Sequence, residues 1–224
     1  MFRTVRLILF AALTGIAALA YAQTAPTLLM QAVSATEAAK TDYAFDFELE
    51  TSKQNWRARF EPGASPRLRL IEPRRDDLEN DQRRAFDRMA EQMEGVSWCA
   101  SEGLGRAGDI RLVREDETSA VYSFQPNAES VRGEQARRFA DRLRGEATVS
   151  KATPDVTRIR IYTPRSFSPM LMVRVDELNV VITCAAAPNG RRYAAHTVTT
   201  VRGSALGQDF NERSVQRARN LSAP

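Results

Sequence analysis

The hydrophobic pattern changes period several times along this chain, and each change marks an element. Between positions 43 and 49 the period is two: Tyr43, Phe45, Phe47 and Leu49 alternate with Ala44, Asp46 and Glu48. Successive side chains of a strand point to opposite faces, so this is a half-buried strand with an aromatic face. Trp56, Ala58 and Phe60 alternate with Arg57 and Arg59 in a second strand, which Glu61-Pro62-Gly63 ends. Arg67 to Ile71 makes a third, stopped by Pro73. Ile110 to Glu115 and Ala120 to Gln125 are two more. From Glu146 onward the chain reads as strands: Val156 to Tyr162, Leu171 to Val175, Leu178 to Ala185, Arg192 to Val201 and Phe210 to Val215. Pro188-Asn189-Gly190 suits a hairpin turn, because Asn and Gly tolerate positive φ.

Three segments carry the helical period instead. Pro26 to Ala39 has Leu29, Val33 (or Ala32) and Thr36 at helical spacing, with Thr24 or Ala25 as cap and Pro26 in the first turn. Asp76 to Glu94 is the clearest helix. Asp76 and Glu79 have capping-box spacing, Leu78, Ala85, Phe86, Met89 and Met93 form one apolar stripe, and Gly95 is the stop. Val131 to Arg144 places Ala136, Phe139, Ala140 and Leu143 on one face, with Gly145 as terminator. Strand groups joined by short turns imply an antiparallel sheet, and the interspersed helices imply that they cover one face of it. The class is α+β in a single domain, residues 23–224.

The first 22 residues stand apart from this domain. Arg3 and Arg6 precede an uncharged apolar run from Leu7 to Ala20, and Ala20-Tyr21-Ala22 is a small-x-small cleavage site. That order is a secretory signal peptide over residues 1–22, cut after Ala22, and its apolar run is short for a membrane span. No cysteine follows the cut, so a free periplasmic protein with no permanent membrane anchor is expected. The leader also changes the charge. It holds two of the 32 basic residues and none of the 28 acidic ones, leaving a net charge of +2. The sequence pI of 9.4 therefore overstates the basicity. Arginines are interspersed with carboxylates rather than clustered, which argues against nucleic acid. Cys99 and Cys184 are both in the exported part, and an even count in an oxidising compartment points to a disulfide rather than two separate buried thiols.

A search for catalytic chemistry finds no site. Gly103, Gly105 and Gly108 match G-x-G-x-x-G, but a loop precedes them and a strand follows, the reverse of the dinucleotide fingerprint. Ser204 in Gly203-Ser204-Ala205-Leu206-Gly207 is off the middle position of a nucleophile elbow. His196 is the single histidine, which excludes a His-based metal cluster; it reads as structural, flanked at alternate positions by Ala194 and Val198. No metal, cofactor or catalytic residue is assigned. A carboxylate-based hydrolase is the remaining enzymatic alternative, with no carboxylate pair marked out by an apolar setting.

The apolar strand faces are the feature left to explain. Tyr43, Phe45, Phe47, Trp56 and Phe60, with Leu70 on the third strand, form one group. Phe86, Met89 and Met93 on the long helix and Phe139 on the next form a second, with Met172 and Ile182 in the later strands. Together they are expected to line a sheet–helix cavity. Such cavities are concave and mostly apolar, and Met adapts its shape to varied ligands.

Short motifs then connect the chain to a known family. Arg59-Phe60-Glu61-Pro62 with Arg67-Leu68-Arg69-Leu70 is similar to the second and third strands of exported, uncharacterised proteins of the lipoprotein-localisation-factor (LolA/LolB-like) superfamily. Gly145-Glu146-Ala147-Thr148-Val149, and Phe167-Ser168-Pro169 leading into Met170 to Val175, resemble their later strands. The resemblance spans roughly residues 27–216. It implies a large curved antiparallel β-sheet, a half-barrel, with about three helices covering its concave face. It also implies a hollow that holds lipoprotein acyl chains or another apolar ligand, and an envelope protein as partner. The cysteine pair departs from the carrier pattern. The alternative function is an envelope protein-interaction module with a filled core and no ligand.

Overall fold

A computed structural model describes residues 27–128, 130–131 and 137–223. The expected export leader and residues 132–136 of the expected Val131–Arg144 helix lie outside them. The chain begins with helix α1 (Leu28–Ala38) and strands β1 (Ala44–Glu50), β2 (Asn55–Phe60) and β3 (Leu68–Glu72). Helices α2 (Asn80–Gln92) and α3 (Glu102–Gly105) follow, then β4 (Gly108–Glu115), β5 (Ser119–Gln125), β6 (Arg144–Ser150) and β7 (Asp155–Tyr162). The chain ends with β8 (Phe167–Met170), β9 (Val173–Ala186), β10 (Arg192–Ala205) and β11 (Gln208–Ser222). These form one antiparallel sheet in the order β3-β2-β1-β11-β10-β9-β7-β6-β5-β4, with β8 paired to β9. The sheet is open, a half-barrel with β3 and β4 at its edges.

Local sequence explains where the boundaries differ from expectation. The cap of α1 is Thr27, whose hydroxyl accepts the Met30 N–H at 3.3 Å. The expected helix from Asp76 splits. Arg75–Asp77 makes one 3-10 turn, Leu78 is extended so that its side chain reaches the core, and α2 starts afresh behind a capping box of Glu79 and Gln82. Gly145 does not stop a helix. It lies in β6, opposite Phe124 of β5, whose ring packs against it. Ala140–Arg142 is a short 3-10 turn and Arg144 is already strand. Leu171 and Met172 form the β8–β9 turn, and the two strands expected after it are the single strand β9. The Pro188-Asn189-Gly190 turn is as expected, with Gly190 at φ +79° donating to the Ala187 carbonyl at 2.9 Å.

The ladder registers show which face is which. Trp56 faces Leu49, then Gln216, Thr197, Ile182, Ile159, Ala147, Tyr122 and Leu112 across nine strands. Directly opposed residues share a face, so this row marks one side of the sheet. Both long helices sit on that side. At one end of the row Phe86 of α2 meets the Trp56 ring edge-on, with centroids 5.5 Å apart, in a core with Phe45, Phe60 and Leu68. At the other end Leu29 and Val33 of α1 pack on Tyr122, Ala147 and Ile159.

The connection from β3 to β4 must cross this whole face, because the two strands are consecutive in the chain and lie at opposite edges. It runs through α2, the segment Gly95 to Cys99, and α3. A disulfide joins Cys99 to Cys184 of β9, and both cysteines are buried. Ser97 and Cys99 also bond β10: the Ala194 N–H donates to the Ser97 carbonyl at 2.8 Å, and the Cys99 N–H donates to the Arg192 carbonyl at 3.0 Å.

Thiol titration of denatured, unreduced protein is expected to find no free thiol, and reduction to lower unfolding stability by roughly 4–5 kcal/mol in the loop-entropy account of an 85-position separation. Gly145→Ala places a Cβ 2.1 Å from Phe124 Cζ and is expected to lower stability in urea unfolding by about 1–3 kcal/mol.

Candidate functional site

The middle of the register row is left open by the helices. Between the two helix-covered cores lies a cavity of about 620 Å³. Its floor is β9, β10 and β11, through Ile182, Ala194, Thr197, Gln216 and Ala218. Phe45 and Phe47 of β1 close one side, and Met89 of α2 and Met93, just past its end, lie over them. Val96 and Ser97 of the pinned crossing segment complete the wall, and Arg88, Gln92 and Glu94 stand at the rim. The floor is not uniformly apolar: Thr197 and Gln216 interrupt the row between Leu49 and Ile182. The arrangement can receive a mainly apolar body while offering hydrogen-bonding groups beneath it and charge at its mouth.

Five of the expected lining residues converge here: Phe45, Phe47, Met89, Met93 and Ile182. The others go elsewhere. Trp56 and Phe60 are buried in the α2 core, where Phe60 stacks on Phe45 with centroids 5.0 Å apart. Tyr43 packs with Trp98 and Tyr193 beside the crossing segment. Leu70 and Phe86 border a separate groove of about 750 Å³ on the far side of α2, beside the Arg75–Asp87 pair. Both Asp87 oxygens accept from Arg75, which holds that carboxyl below the usual carboxylate range. Phe139 meets Phe167, with centroids 5.5 Å apart, away from the cavity. Met172 is exposed in the β8–β9 turn and belongs to no sheet–helix cavity.

Thr197, Gln216, Ala194 and Val96 were not expected at the site. A β-bulge between Ala194 and His196 explains part of this. It puts Ala194 and Thr197 on the cavity side and His196 on the opposite face, paired with Arg217, so Ala194 and His196 do not share a face. Gln216 is paired with Leu49 and Thr197, information that only the register holds.

Asp155 is a buried carboxyl at the start of β7. It accepts the Val156 N–H at 2.8 Å and the Arg192 N–H at 3.0 Å, with Arg191 at 3.9 Å. Burial pushes its carboxyl up, against these three partners. It acts as a clamp between β7 and the start of β10. Gly103 and Gly105 lie in α3, which Ser101 caps, and Gly108 opens β4, so the glycine motif has no preceding strand. Among the described residues no group of three or more His, Cys, Asp or Glu is placed to hold a metal ion, and no helix is long and apolar enough to cross a membrane.

No family model, curated protein or solved structure matches the chain.

Core and cavity rim respond differently to truncation. Phe86→Ala empties a filled core and is expected to cost about 3–5 kcal/mol in denaturant unfolding followed by tryptophan fluorescence. Met93→Ala removes a side chain with open space on one side and costs clearly less. Equal losses would mean that the Met93 side is as tightly filled as the Trp56 side.

Proposed function

We propose that this protein is exported to the periplasm and binds an apolar ligand, a lipid or lipoprotein acyl chain, in the cavity between α2, the crossing segment and the sheet. One observation carries the reading: the face is open between the α2 core and the α1 core, where Phe45, Phe47, Met89, Met93 and Ile182 surround about 620 Å³. Ligand sites are typically about 300–1,000 Å³ and mostly apolar with a few polar groups, which describes this wall and its rim. The leader pattern of residues 1–22 and the Cys99–Cys184 bond support export to an oxidising compartment. The half-barrel with helices on one face supports the likeness to LolA/LolB-type carriers, whose hollow holds acyl chains. Binding is driven by burial of methylenes, and Arg88 at the rim is placed to meet a head group.

The test is native mass spectrometry of protein taken from its own periplasm, with lipid extraction, and displacement of a fluorescent fatty acid. Thr197→Trp puts an indole on the cavity floor. Excluding two methylenes of ligand costs about 1.6 kcal/mol, so affinity is expected to fall by about tenfold or more while the fold is kept. Absence of both co-purifying lipid and displacement, or undiminished affinity in T197W, would sink the reading and leave a filled-core interaction module.

A further inference from the structure

The exposed apolar residues of this protein are not scattered. Seven large hydrophobic side chains are exposed among the described residues, and four of them occupy two neighbouring turns. Met170, Leu171 and Met172 are 61 %, 89 % and 66 % exposed at the β8–β9 turn, and Leu206 is 77 % exposed at the β10–β11 turn. The turns lie side by side, with the Leu206 N–H donating to the Met172 carbonyl at 2.9 Å.

Backbone conformation makes the choice of residues more telling. Leu206 and Gly207 have φ of +53° and +79°, so both central positions of this two-residue hairpin loop are left-handed. Such a loop favours Asn-Gly, and a bulky side chain there is disfavoured. Met172, at φ +63°, has the same conflict. Asn or Gly would serve both turns better and would hide no apolar surface. A large hydrophobe thus sits at each tip against local preference.

The surroundings indicate what meets this surface. The four side chains expose about 500 Å², the upper end for a patch on a free protein. A standard protein partner covers about 800 Å² on each side, more than two hairpin tips offer. A bilayer needs no shape-complementary area, since projecting apolar side chains simply enter it. Within six positions of the turns stand Arg165, Arg174, Arg202 and Arg213 against Asp176, Glu177, Asp209 and Glu212, a balanced set. Arg174 pairs with Asp176 at 2.6 Å and Arg202 with Glu177 at 3.5 Å. The base of the tips is therefore neutral and would not depend on anionic lipid.

We propose that the paired β8–β9 and β10–β11 turns are a membrane-docking tip that inserts Met170, Leu171, Met172 and Leu206 into a lipid surface of no particular charge. This stands independently of the cavity. The test is flotation with zwitterionic phosphatidylcholine vesicles, comparing the exported chain with its Leu171→Glu/Leu206→Asn variant. The exported chain should float with the vesicles equally well at low and high salt. The variant should lose binding by about tenfold or more, with its unfolding midpoint not lowered, because Asn suits the left-handed position. Fatty-acid displacement should be the same in both, which separates this result from the cavity reading. Failure of the exported chain to float, equal flotation of the variant, or loss of binding at high salt would overturn the proposal. So would self-association of the free protein that the variant abolishes.

Discussion

The crossing of one sheet face by the β3–β4 connection is the constraint on which the rest of the structure depends. β3 and β4 are consecutive strands at opposite edges of the sheet, so the chain between them must span every other strand. It does so on the apolar side, and the Cys99–Cys184 bond fixes it near the midpoint. The bond ties the β1–β3 and α2 half to β9, whose partners lead to β7 and the α1 half. Without it, the crossing segment would be held there by little more than backbone hydrogen bonds from Ser97 and Cys99 to β10 and the packing of Val96 and Trp98. Because the segment is fixed between the two helices, each helix can fill its own end of the sheet and neither has to cover the middle.

Polarity in the middle row accounts for the gap that remains. Thr197 and Gln216 stand where the same row elsewhere has Trp56, Leu49, Ile182 and Ile159. Drawing a helix down over them would remove their polar atoms from water, at about 1–3 kcal/mol for each group left without a partner. Phe86 gains its full burial against Trp56 without that cost, and Leu29 does likewise on the other side. The opening is thus a consequence of side-chain chemistry in two adjacent strands, β10 and β11, and not of a sheet too wide for its helices.

Much of this fold was legible because period-two alternation reports directly on a sheet face. Phe45, Phe47, Trp56 and Phe60 were assigned to one apolar face, and they do share it. What alternation cannot report is which part of that face is filled. All four lie in the α2 core, but only Phe45 and Phe47 also border the cavity, a difference set by where α2 lands. The α2 stripe was legible for the same reason as the strands, whereas its start was not. Leu78 is apolar and helically spaced, yet it turns inward from an extended backbone. Met172 was misplaced because an apolar residue beside a strand reads as strand, and a turn built from Leu and Met carries none of the usual Gly or Asn signal. The bulge at Ala194 and His196 inverted a face for a related reason: one extra residue has no mark in a sequence of small and β-branched side chains.

The three long strands connect these observations. β9, β10 and β11 run for 14, 14 and 15 residues, well beyond the ordinary strand of about five or six. One end of β9 and β10 carries Cys184, Ala194 and the cavity floor. Toward the other end, residues 173–178 and 199–205 belong to none of the three apolar clusters. Strands that continue without a core to bury need another source of support. The ladders provide it: β10 pairs with β9 from Arg192 to Ala205 and with β11 from His196 to Ala205. Paired backbone lets this ribbon run on beyond the apolar clusters at little cost in unsatisfied polar groups. Its tip can then carry exposed apolar side chains that the folded body does not require, since Leu171 and Leu206 pack into none of the cores. Packing thus resides at the two ends of the register row and the disulfide holds the crossing between them, leaving the polar floor of the opening and the ribbon tips as the places where residue choice answers least to folding.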